Sequence, residues 1–100
     1  MKTECAEIAH QDDEKNKRNV RLTLHEDGSI EFNTYDSGEA PEQIFGHEEY
    51  EFWVRMAGES VPKLAFALLR EKFSGNLDAT DSAARFCKEA GVEYEWSSYL

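Results

Sequence analysis

The sequence predicts an α+β fold: an antiparallel sheet of four to five strands with a two-helix hairpin packed on one face, in the order β-β-β-β-α-α-β. Three observations carry this. Apolar residues alternate with polar ones over 20–25, 30–36 and 48–56; an Asp-Gly pair joins the first two of these runs; and beyond Ser60 the period of the apolar residues lengthens from two to about 3.6.

The first alternating run places Val20, Leu22 and Leu24 on one side and Arg21, Thr23 and His25 on the other. Glu26-Asp27-Gly28-Ser29 follows, and Gly28 supplies the positive φ that a tight hairpin turn demands. In the second run Ile30 and Phe32 point inward, while Glu31, Asn33 and Tyr35 point outward. The stretch SGEAPEQIFG reads as a loop, with Ile44 and Phe45 tucked into the core. In the third run Tyr50, Phe52, Val54 and Met56 share one side, and Glu49, Glu51, Trp53 and Arg55 the other. Upstream, residues 3–10 read as a short strand, with a frayed arm as the alternative, and the mixed-sign run DDEKNKRN (12–19) reads as a loop.

Ser60 suits a helix N-cap and Pro62 its first turn, where a missing N–H costs nothing. Val61, Leu64, Ala65, Leu68, Leu69 and Phe73 keep helical spacing up to Gly75. A second helix fits 79–90, with Asp78 as N-cap, Asp81 at the positive end of the dipole, a stripe of Ala83, Phe86, Cys87 and Ala90, and Gly91 as the stop. Val92, Tyr94 and Trp96 then alternate with Glu93, Glu95 and Ser97, the pattern of a last strand.

One hundred residues fit a single domain, 1–100, with partial flexibility expected over 1–19. Cys5 and Cys87 make no disulfide framework and read as free thiols, and the N-terminus lacks the apolar core of a secretory signal; cytoplasmic residence is the default expectation. The net charge is −10, and residues 26–59 hold ten acids against the single base Arg55. That distribution argues against direct binding to nucleic acid or an anionic membrane, and favours a basic protein surface as partner.

Catalytic and metal patterns are weak. Cys87 sits on an apolar helical stripe at the C-terminal end, where the dipole opposes a thiolate, so it reads as a buried structural cysteine rather than a nucleophile. His10, His25 and His47 have no ligand spacing, and neither a calcium loop, a phosphate loop nor a nucleophile elbow is present. No cofactor is expected.

The leading expectation is therefore a small acidic protein that binds and masks a basic surface on a partner, such as a nucleic-acid-handling protein or nuclease. In size and charge the chain resembles toxin-immunity proteins and phage-encoded inhibitors, anti-CRISPR proteins among them; the resemblance is to a class property and carries no residue across. Expected partner-binding residues are Glu31, Tyr35, Glu49, Glu51, Trp53, Glu93 and Glu95 on the open sheet face, with Glu39 and Glu42 in the acidic loop as a second tier. The alternatives are a general interaction or oligomerisation domain, and a small enzyme or metal binder using His25, His47 and nearby carboxylates.

Overall fold

The computed structural model describes residues 2–99, the side chain of Phe45 excepted. The chain divides into two compact units, the first ending at Ala65 and the second beginning at Phe66. The first is a four-stranded antiparallel sheet in sequence order: β1 (Glu4–Asp12), β2 (Asn16–Leu24), β3 (Ile30–Gly38) and β4 (Glu49–Met56), with a short helix, α1 (Glu39–Phe45), between β3 and β4. The second carries most of α2 (Val61–Phe73) and all of α3 (Ala79–Ala90). The α+β class and the antiparallel sheet are as the alternation requires.

The Asp-Gly turn sets the register. Gly28 adopts φ 85°, its N–H donates to the His25 carbonyl at 2.9 Å, and the His25 N–H donates to the Ser29 carbonyl at 2.9 Å. Asp27 Oδ1 accepts from the Ser29 N–H (2.9 Å) and from the Ser29 hydroxyl (2.6 Å), while Arg55 Nη2 reaches Asp27 Oδ2 (2.9 Å) and Ser29 Oγ (3.0 Å). Ser29 is buried, so its hydroxyl needs these partners, and a β4 side chain thereby pins the β2–β3 turn. From this point Leu24 pairs with Ile30, Leu22 with Phe32, Val20 with Thr34 and Arg18 with Asp36.

The polar run at 12–19, expected as a loop, is instead a second hairpin whose connection is only residues 13–15. Asp13 Oδ1 accepts from the backbone N–H groups of Lys15 (2.9 Å) and Asn16 (2.7 Å), closing the turn without any glycine. β1 is correspondingly longer than expected, and a bulge at Ile8 interrupts its pairing with β2 between Glu7 and Ala9.

The segment expected as a loop at 37–46 contains α1. Gly38 turns the chain at φ 119°, the Glu39 N–H donates to the Lys15 carbonyl (3.1 Å), and the Ala40 N–H to Asn16 Oδ1 (2.8 Å). The β1–β2 connection, through Lys15, and the first residue of β2, Asn16, thus supply the acceptors that the start of this helix needs. Pro41 suits the first turn and is buried. Ile44, expected in the core, is 72% exposed, and the side chain of Phe45 lies outside the described residues.

In the second unit α3 spans the residues its spacing predicts. Asp78 occupies the N-cap position, but its side chain makes no capping bond; the Asn76 side chain instead accepts from the Asp78 N–H at 2.8 Å. At the other end the N–H groups of Gly91 and Val92 return to the last carbonyls of α3. Lys72 on α2 lies 5.0 Å from the Phe86 ring centre and 5.7 Å from that of Phe73, a cation–π contact tying α2 to α3. The strand expected at 92–97 does not form: residues 92–99 carry no regular structure and are exposed. Its alternation was that of a strand, but a strand exists only where a ladder satisfies its backbone, and the sheet consists of β1–β4.

Two outcomes test this account. A Cβ on Gly38 would lie 2.0 Å from the Lys15 carbonyl oxygen at a φ that other residues rarely adopt, so Gly38→Ala should destabilise the fold by more than about 2 kcal/mol in urea denaturation. Hydrogen bonds from Ser29 hold the Asp27 carboxyl below the ordinary aspartate range. Its stabilising effect is therefore present above that range and lost as pH falls through the lowered value; Asp27→Asn should flatten this part of the acid limb in thermal melts.

Candidate protein-binding face

Directly paired residues in an antiparallel sheet project to the same side, so the register sorts every strand residue onto one of two faces. One face carries the rows Leu24–Ile30–Met56, Leu22–Phe32–Val54 and Val20–Thr34–Phe52, and is apolar. The other carries Thr23–Glu31–Arg55, Arg21–Asn33–Trp53, Asn19–Tyr35–Glu51 and Lys17–Ser37–Glu49. Of the expected binding residues, the sheet therefore brings together Glu31, Tyr35, Glu49, Glu51 and Trp53 on one polar face.

Trp53 stands in the middle of β4 opposite Asn33 and is 55% exposed. The Asn33 side-chain amide donates to Glu51 Oε2 at 3.0 Å and to the Phe52 carbonyl at 3.3 Å, which fixes the Glu51 carboxylate beside the indole. Glu49 is the diagonal neighbour of Tyr35 and takes a hydrogen bond from its phenol. That bond first, then burial and the charges of Glu49 and Glu51, raise the Tyr35 phenol above the ordinary tyrosine value. Both carboxylates are thus oriented by neutral partners.

The rest of the face is less acidic than composition implies. Across β1–β4 five carboxylates (Glu7, Asp12, Glu31, Glu49 and Glu51) stand among three cations (Lys17, Arg21 and Arg55), and Glu7 and Asp12 lie directly opposite Arg21 and Lys17. Glu31 is half-buried, opposite Arg55, with its Oε1 3.5 Å from His25 Nε2. Excess negative charge therefore gathers at the β3–β4 side, around Glu49 and Glu51. Glu39 and Glu42 are exposed in the first turn of α1, the helix that packs against β3 and β4. Glu93 and Glu95 are exposed in the irregular segment after α3, and the sheet face does not include them.

One cluster lay hidden in the sequence. Arg18 and Asp36, directly paired on the apolar face, form a two-pronged ion pair, Nε to Oδ1 at 2.6 Å and Nη2 to Oδ2 at 2.7 Å. They border a cleft of about 450 Å³ whose walls include Pro41, Ile44, Tyr50 and Phe52. Reading 12–19 as a loop concealed Arg18; the alternation of 16–24 was the available signal. Among the described residues no group of three or more histidine, cysteine or carboxylate side chains is placed to hold a metal ion, and no helix is long and apolar enough to cross a membrane. Both cysteines are free thiols; Cys5 is exposed, and Cys87, expected to be buried, is half-buried.

The Tyr35–Glu49 contact is testable. Because the neutral phenol is favoured, its contribution to stability is present below the ordinary tyrosine range and lost as pH rises through the folded value. Glu49→Gln should bring the Tyr35 titration, followed by NMR of its ring, back toward the ordinary value. No family model matches the chain, and no curated protein or solved structure matches it, so the chemistry of this face carries the functional reading.

Proposed function

We propose that this chain is a stoichiometric binding protein that applies the Trp53 face of its sheet to a basic surface on a partner protein, masking that surface. The carrying observation is a half-exposed indole on the same face of β4 as two carboxylates, Glu51 two residues before it and Glu49 four residues before it, that neutral side chains hold in place. Such an arrangement suits an Arg- or Lys-lined groove: the indole offers a cation–π platform, and the two acids accept charge-assisted hydrogen bonds. Tyr35 adds a second aromatic on the same rows, and Glu31, Glu39 and Glu42 extend the negative field at its margins.

Nucleic-acid-handling proteins present grooves of this kind, because phosphate binding rests on Lys and Arg. A protein of net charge −10 is steered toward such a groove and competes with nucleic acid for it. No group on the face is arranged as nucleophile with base, and the proposed action is occupancy, without catalysis.

The test is capture of a partner from lysate at low salt with the immobilised chain. The expected result is one basic protein, released as salt rises and displaced by added DNA or RNA. Trp53→Ala should weaken capture by roughly 10- to 100-fold while leaving the fold intact, since the side chain is half in solvent. Glu49→Lys with Glu51→Lys should abolish it. Capture unaffected by all three changes would remove the face from consideration.

A further inference from the structure

The β2–β3 turn holds a reactive pair. Asp27 is followed by Gly28, and no other aspartate or asparagine in the chain precedes a glycine. Glycine has no Cβ to shield its backbone nitrogen, so in an open chain that nitrogen has its easiest approach to a side-chain carboxyl here.

The fold restrains both reaction partners. Asp27 Oδ1 accepts from the Ser29 N–H at 2.9 Å and from the Ser29 hydroxyl at 2.6 Å, and Oδ2 accepts from Arg55 Nη2 at 2.9 Å. The attacking atom would be the Gly28 nitrogen, and its N–H donates to the His25 carbonyl at 2.9 Å. The peptide joining the two has little room to swing. A Cβ on Gly58 would lie 2.9 Å from the Asp27 carbonyl oxygen and 3.5 Å from the Gly28 carbonyl carbon. The Ser29 bonds are local and persist in any closed form of the turn. Arg55 arrives from another strand, and is the side-chain restraint that sheet pairing supplies.

We propose that Asp27–Gly28 is a self-modification site, converting to isoaspartate through a succinimide, and that Arg55 holds it unreacted in the folded chain. In the first step the Gly28 nitrogen bonds to Asp27 Cγ, and the carboxyl hydroxyl leaves with the amide proton as water. The second step adds one water back. Attack at the Asp27 main-chain carbonyl carbon breaks its bond to the Gly28 nitrogen and leaves the chain running through Cβ and Cγ, with a free α-carboxylate; attack at Cγ restores aspartate. No oxidant or other reactant enters, and the mass is unchanged. The product carries one extra main-chain carbon between His25 and Ser29, the pair from which the register of β2 against β3 is set.

The first step needs the protonated carboxyl, since a carboxylate is a poor electrophile. The Ser29 hydroxyl, the Ser29 N–H and the charge of Arg55 hold Asp27 below the ordinary aspartate range, so the same contacts that fix the carboxylate also keep it unreactive. The charged or titratable groups facing it are Arg55 from β4 and His25 from the β2 side of the turn.

The test is incubation of the full chain at mildly acidic pH. Isoaspartate is counted by enzymatic methyl transfer to the new carboxylate and located by fragment mass spectrometry. In urea, Asp27 should isomerise faster than any other aspartate of the chain. Folding should slow it by at least about 10-fold, and Arg55→Gln should restore about 10-fold, the factor that loss of one charge-assisted hydrogen bond implies. Asp36, followed by Ser37 and held by Arg18 instead, is the internal reference and should not respond to Arg55→Gln. Rates are compared where the circular dichroism spectrum is unchanged. If Arg55→Gln does not fold, the pH profile of the unaltered chain decides: its isomerisation should begin to climb at a lower pH when folded than in urea. A folded Arg55→Gln variant that isomerises no faster, a folded chain that reacts at Asp27 as fast as in urea, or pH profiles that coincide overturn the proposal.

Discussion

The hydrogen-bonded knot at the β2–β3 turn decides what every other part of the sheet does. Asp27, Gly28 and Ser29 close the turn, and Arg55 reaches across from β4 to hold it. Side chains in a strand alternate with a period of two, so a slip of one residue at this turn would exchange the faces along a whole strand. Trp53 would then move to the apolar side and Val54 to the polar one. The polar and apolar faces thus share one cause, and neither can be altered at the turn without altering the other.

Much of this was readable from the chain. Residues 20–36 and 48–56 declare their period, and the Asp-Gly pair declares where the chain reverses; together these place Tyr35, Glu49, Glu51 and Trp53 on a common side. Both long helices were equally legible, because their apolar spacing is helical and their ends carry glycine. The parts that escaped are those in which polar side chains make the structure. Asp13 closes a hairpin by accepting two backbone N–H groups, and Asn16 helps start α1 by accepting a third. Neither interaction leaves an apolar period, so a reading by alternation finds only loop on both sides.

The segment after Gly91 failed in the opposite sense. Its alternation of Val92, Tyr94 and Trp96 with acids is a good strand pattern, yet pattern is a statement about side chains, and strand formation is a statement about backbone partners. Charge was similarly half-legible. Counting acids located the excess in residues 26–59, but only the register revealed that Glu7, Asp12 and Glu31 face cations while Glu49 and Glu51 face neutral donors. The acidity left without a cation opposite it is local to two residues and their supports.

The extra residue in β1 has a consequence for the health of the protein in solution. Fibril seeding requires a long, flat row of unused backbone groups on which a stray chain can grow. Ile8 interrupts that row midway, leaving stretches of four paired residues on either side, Glu4–Glu7 and Ala9–Asp12, with a local twist between them. The outermost strand is thereby a poor template for amyloid, and a fold rich in exposed apolar side chains keeps one of its rims safe from runaway growth.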